Sequence, residues 1–141
     1  MLVLKDITEF FKTLNTQENW GIENYYRGKL DNKKNKSLGF YDLKSAAYEI
    51  PVGGPDLKYY DELYVSLLIH WNNNFDDTEA ISNKIYYKLI DLYNTKPLII
   101  NNYYITQIKM LSNNEDVGTD EKGIYERVIQ FKVVYKNTPI I

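Results

Sequence analysis

Between Tyr60 and Trp71 the chain alternates without a break. Asp61, Leu63, Val65, Leu67, Ile69 and Trp71 share one face of an extended segment, and Tyr60, Glu62, Tyr64, Ser66, Leu68 and His70 share the other. Successive side chains of a strand point to opposite faces, so this pattern asks for a strand with one side in a core. A helix would need its apolar positions every three to four residues instead. The second face is mixed rather than charged, which suits it to packing against a helix or a neighbouring subunit. This segment reads as the central strand of a sheet.

The downstream chain supplies the rest of that sheet and its cover. Asn72-Asn73-Asn74 ends the strand, and Asp76 stands three residues before Glu79, a capping-box spacing with Asp at the cap position. The spacing predicts a helix over about Asp77 to Tyr93, with Ile81, Ile85, Leu89 and Leu92 as its buried stripe and Asn94 and Pro97 as its stop. Two strands follow, Asn102 to Leu111 and Ile124 to Tyr135, joined by the polar loop Ser112 to Gly123. The last strand puts Tyr125, Ile129, Phe131, Val133 and Tyr135 on one face, interrupted there by Arg127.

Upstream, Leu4, Ile7, Phe11 and Leu14 recur at helical spacing and predict a helix from about residue 3 to 14, with Asn15-Thr16 as polar exit residues. The aromatic and β-branched stretch Asn19 to Leu30, around Trp20, Ile22, Tyr25 and Tyr26, reads as a first strand. Lys29 to Lys36 reads as a solvated hairpin loop leading to a second strand at Leu38 to Leu43. Ala46 to Lys58, with Pro51, Gly53, Gly54 and Pro55, reads as a loop. The expected fold is α+β, one domain over residues 1–141, with an antiparallel sheet of about four to five strands and two helices packed on one side.

Several function classes are excluded or weakened by the residues present. The formal net charge of -2 and pI near 5.4 do not favour binding a polyanion, so no sequence-specific nucleic acid is expected. Cysteine is absent, which removes thiol nucleophiles and thiolate metal ligands. The start, Met1 to Asp6, lacks the apolar run of an export signal, and no stretch is apolar enough to span a membrane. His70 is the single histidine, so imidazole-based triads and two-histidine metal sites are not available, and at a strand end it reads as a solvated or interface histidine. Of the acidic pairs, Asp61-Glu62 points to opposite faces of a strand, Asp76-Asp77 suits a helix N-terminus, and the loop acids Glu115-Asp116 and Asp120-Glu121 lack the spacing of a calcium loop. The enzymatic alternative is a metal-dependent nuclease using carboxylates such as Asp56 or Glu62. The favoured expectation is no catalytic residue, no metal and no cofactor. Fourteen tyrosines, several in adjacent pairs, suit half-buried sheet faces and interfaces, although coding bias alone can raise tyrosine.

The run from Tyr64-Val65-Ser66-Leu67-Leu68-Ile69 through Ala80-Ile81-Ser82-Asn83-Lys84-Ile85-Tyr86-Tyr87-Lys88-Leu89 resembles a family of tailed-phage minor capsid or neck proteins, the tail-terminator group. The likeness continues through Asn101-Asn102-Tyr103-Tyr104-Ile105 and Gly118 to Arg127, and covers about Asp61 to Tyr135. The resemblance implies a non-enzymatic structural protein of the virion tail or neck, found in the host cytoplasm during assembly. It implies a ring of identical copies, usually a hexamer, that caps the tail tube and joins it to the neck. Implied partners are the tail tube protein, a neck or connector protein and, in a contractile tail, the sheath protein. A head-tail neck adaptor is the nearest alternative. A ring needs a heterologous contact that closes on itself. The opposite charges of Lys33, Lys34 and Lys36 and of Glu115, Asp116, Asp120 and Glu121 make those residues the expected contact.

Overall fold

The second helix starts earlier than its capping-box spacing suggests, and the reason is local. Three asparagines precede it, and Asn74 takes the cap: its side chain accepts from the Asp77 amide at 3.0 Å. In this computed structural model, which describes residues 1–30, 34–43, 52–92 and 97–140, helix α2 therefore runs Phe75–Asp91. Asp76 and Asp77 fall inside its first turn, where their charge meets the positive end of the helix dipole. The expected stripe is confirmed in Ile81, Ile85 and Leu89, all buried, and in Leu92 just beyond the last turn. The expected end at Tyr93 and Asn94 lies outside the described residues, as do residues 46–51 of the expected loop from Ala46.

Helix α1 (Leu4–Glu18) extends past its expected exit at Asn15-Thr16. Asn15 is an exit residue of another kind, because its side chain reaches the chain that follows: Oδ1 accepts from the Ile22 amide at 3.0 Å and Nδ2 donates to the Ile22 carbonyl at 3.3 Å. The helix closes at Asn19, which takes the left-handed conformation with φ 56°. Trp20 and Ile22 are buried but precede the first strand rather than lie in it.

The strands are β1 (Asn24–Arg27), β2 (Ser37–Asp42), β3 (Tyr60–His70), β4 (Leu98–Ile100), β5 (Tyr103–Met110), β6 (Glu115–Thr119) and β7 (Tyr125–Lys136). They form one sheet in the order β1-β2-β3-β7-β5-β4, with β6 also paired to β7. The expectation of about four to five antiparallel strands is corrected twice. First, the described residues hold seven strands, since β4 and β6 are short pieces without a periodic signal. Second, the sheet is mixed: β1 and β2 run parallel, Asn24 opposite Ser37 and Arg27 opposite Phe40. The expected hairpin between these two strands is therefore not formed. Both Glu23 and Asn24 amides donate to the Lys36 carbonyl, which brings the starts of the two strands together.

The central position expected for β3 is borne out, with β2 on one side and β7 on the other over their full lengths. The expected hairpin also forms, but β7 is long enough to hold two partners along one edge. β5 faces its second half and β6 its first, with Leu111 donating to the Gln130 carbonyl between them. Much of the expected loop Ser112 to Gly123 is thus strand, and the true turn is confined to 120–123.

Both helices cover the same side of the sheet. Phe11 of α1 lies between Phe40 and Phe131, at centroid distances of 5.2 and 6.2 Å. Phe131 shares its face with Val65, Ile69 and Arg127, and Arg127 reaches Glu79 of α2 at 4.0 Å. Lys88 and Glu18 tie the two helices together at 2.8 Å. The buried side chains of both helices and of this sheet face form one apolar cluster. Among the described residues no helix lies over the opposite face, which carries the even-numbered residues of β3.

Candidate interaction surface

Three segments meet at one end of the sheet: the start of β2, the end of β3 and the start of β7. The Lys36 amide donates to the Trp71 carbonyl, the Trp71 amide to the Tyr125 carbonyl and the Tyr125 amide to the Asn72 carbonyl, at 2.8, 3.2 and 2.8 Å. These bonds carry the ladder beyond the last paired residues, Ser37, His70 and Glu126. Both of the charged segments expected to make contacts are therefore at this end. They stand on opposite flanks of it, the lysines beside β2 and the acids beside β7. With strands about 4.8 Å apart, the β2-β3-β7-β6 order separates them by roughly 15 Å. No salt bridge joins the two sets among the described residues.

The individual side chains differ from one another. Lys34 is exposed, and its carbonyl accepts from the Ser37 hydroxyl at 2.9 Å. Lys36 is half-buried with its ammonium 5.9 Å from the Trp71 ring centroid, a cation–π contact that holds it at the flank. Lys33 lies outside the described residues. Glu115 and Asp116 are exposed on β6. Asp116 accepts from the Gly118 amide at 2.9 Å across a bulge that leaves Val117 unpaired and half-exposed. Glu121 is exposed on the turn. Asp120 is not a surface charge: its side chain is 7% exposed and faces inward, one oxygen accepting from the Lys122 and Ile124 amides at 2.8 and 3.0 Å. Its other oxygen faces His70, which is buried and not solvated as its position in the sequence suggested.

Asn114, which no pattern along the chain singles out, ties a hairpin to a helix. Its Nδ2 donates to the Ser82 hydroxyl and to Asn83 Oδ1, at 2.9 and 2.7 Å, while its side-chain oxygen and its carbonyl both accept from Arg127. It thereby fastens the hairpin carrying Glu115 and Asp116 to α2, whose Glu79 also lies 4.0 Å from Arg127. An asparagine in a polar loop gives no sign of that role in sequence.

The uncovered face of the sheet is polar and aromatic. Glu62 accepts from the Tyr64 hydroxyl at 2.7 Å and lies 3.5 Å from the Lys132 ammonium. The Tyr64 bond, more than Lys132, holds its carboxyl below the usual range. Glu62 is thus occupied, and Asp56 is exposed on a short turn, Pro55–Leu57. No group of three potential metal ligands occurs among the described residues. Further along β2, Tyr41 folds its ring back over Gly39, where an added Cβ would come within 2.9 Å of Cε2. The far end of the sheet differs again, with Val52, Leu57, Tyr59 and Tyr60 exposed. Of the adjacent tyrosine pairs, Tyr87 and Tyr104 are exposed beside inner partners Tyr86 and Tyr103, which fits a mixed role. No helix among the described residues is long and apolar enough to cross a membrane.

Two comparisons bear on this arrangement. No curated protein matches the chain. A family model described as "Bacteriophage tail terminator protein" matches residues 5–137, which takes in every helix and strand described above except the first residue of α1.

Proposed function

The chain belongs to the bacteriophage tail terminator family, and on that footing we propose that it is a non-enzymatic structural protein acting as one unit over residues 1–141. Copies of it form a ring, a hexamer, that caps the tail tube and joins it to the neck. Its partners are then its own neighbours, the tube protein and a connector protein, with the sheath protein added in a contractile tail. Its place is the virion tail, after assembly in the host cytoplasm.

The observation that carries this reading is the family match over residues 5–137, which include the whole sheet, and the distribution of charge supports it. Lys34 and Lys36 stand on one flank of the sheet end and Glu115, Asp116 and Glu121 on the other. A head-to-tail contact needs two different, complementary patches on opposite flanks of each copy. The two ends of the sheet are also chemically distinct, one charged and one with exposed apolar side chains, as two different axial partners would require.

Size exclusion with light scattering, alone and with polymerised tube protein, tests the reading. Isolated protein should be a monomer or labile oligomer that becomes a stable ring on tube ends, where added contact area shifts the equilibrium by mass action. A ring whose size ignores concentration in the protein alone would reject dependence on the tube. Binding to connector protein without binding to tube ends at any salt concentration would instead support the neck-adaptor role.

A further inference from the structure

His70 lies on the sheet face that the helices leave uncovered, yet its side chain is fully buried. Two carboxylates flank its ring. Nδ1 is 3.1 Å from Glu126 Oε2 on the neighbouring strand, and Nε2 is 3.6 Å from Asp120 Oδ2 on the turn. His70 Nε2 and Asp120 Oδ2 are both buried without a hydrogen-bond partner. The remaining Asp120 oxygen accepts from the Lys122 and Ile124 amides, so the carboxylate that faces the ring also builds the turn. From β2, Ser37 stands opposite His70, and Tyr41 is the further titratable group, its phenol raised by burial and then by the charge of Glu126. The Lys36 ammonium is engaged over Trp71.

We propose that His70, Asp120 and Glu126 form a proton-operated latch: with both ring nitrogens protonated, the imidazole bridges the two carboxylates and holds the 120–124 turn against the end of β3. A neutral ring has one nitrogen lone pair, which must then face a carboxylate oxygen inside the protein. Two acceptors buried against each other are unsatisfied and repel, so loss of one ring proton favours turning Asp120 out to water. The closed turn binds the extra proton. Closure therefore takes up a proton, and loss of that proton releases the turn. The latch needs no ring of subunits and no partner, and stands whether or not the tail reading does.

His70 is the only histidine, so a nitrogen-15 spectrum of the imidazole reports its protonation directly. The Lys122 and Ile124 amides report closure through hydrogen exchange, expressed as protection relative to an unstructured peptide. Their protection should fall by about tenfold or more as the ring loses a proton, while amides in the β3–β7 ladder stay within about twofold. Asp120→Asn keeps an oxygen for the two amides and offers an N–H to the neutral ring, so the pH dependence should vanish or reverse. His70→Gln should make protection independent of pH between 5 and 8. Flat wild-type protection, because the ring never changes state or because the amides ignore it, overturns the latch. So does a wild-type profile in a folded Asp120→Asn variant. Should either variant fail to fold, the wild-type titration decides alone.

Discussion

Arg127 donates twice to Asn114, from Nε to the side-chain oxygen and from Nη2 to the carbonyl, both at 3.1 Å. Arg127 points to the helix side of β7, among residues that otherwise form the apolar core, and is 9% exposed. A guanidinium in such a place is tolerable only while its donors are occupied. Asn114→Ala should therefore destabilise the fold by about 2–3 kcal/mol, since it leaves a buried charge short of partners. Arg127→Met removes the charge as well and should cost less. The double variant should show a coupling of about 1 kcal/mol or more in urea unfolding. Additive effects would mean that the pair does not act as a unit.

Helix capping separates two neighbouring polar residues that look equivalent in sequence. Asn74→Ala removes the side chain that accepts from the Asp77 amide and should cost about 1 kcal/mol of stability. Asp76→Ala removes only a charge near the helix start, a loss of about 0.3–1 kcal/mol that shrinks with added salt. Denaturant midpoints at low and high salt distinguish the two.

The Tyr25 hydroxyl is buried without a partner, and burial pushes its phenol up to about 12. The folded state holds this proton more tightly than the unfolded chain, whose tyrosines release theirs near 10. Its contribution is present in full below pH 10 and is lost as pH rises from 10 toward 12. Tyr25→Phe should flatten that alkaline loss of stability. At pH 7 it should be neutral or stabilising by up to about 1 kcal/mol, since the removed group makes no hydrogen bond. Stability measured between pH 7 and 11.5 in both proteins is the check, and parallel curves would contradict it.

Charge pairing between copies is tested with the acids that are on the surface. Glu115→Lys, Asp116→Lys and Glu121→Lys together should weaken assembly, and Lys34→Glu with Lys36→Glu in that background should restore it. Each exposed pair is worth only about 0–1 kcal/mol, so the effect should be largest at low salt. Asp120 is left out because reversing it would disturb the turn rather than the surface. Ring formation on tube ends, followed by light scattering and electron microscopy, gives the result. Without recovery, the charge contact falls while the ring can stand on other surfaces.

Phe11 fills the space between Phe40 and Phe131 and is fully buried. Phe11→Ala should cost about 3–5 kcal/mol, a large part of the stability of a domain this size. Phe11→Leu should cost less, because it leaves a smaller cavity. Thermal unfolding of the two variants orders them.

The chain's own periodicity determined which residues became its core. Val65, Leu67 and Ile69 on β3, Ile129, Phe131 and Val133 on β7, and Ile81, Ile85 and Leu89 on α2 are buried as their spacing requires. A repeat of 2 or 3.6 residues is local, and it dictates which face of a strand or helix turns inward before any partner is chosen. Partner choice is not local, and there only the tertiary structure decided. Leu98–Ile100 and Glu115–Thr119 are strands because β5 and β7 offer them free edges, and Asn24–Arg27 runs parallel to Ser37–Asp42, a direction that its own four residues do not specify. The charged residues show the same division. Glu115 and Asp120 look alike in an acidic loop, but the turn hydrogen bonds of Asp120 direct it to a histidine fifty positions away, while Glu115 on β6 faces water. A short polar segment takes its conformation from whatever satisfies its backbone groups, and those partners come from distant parts of the chain.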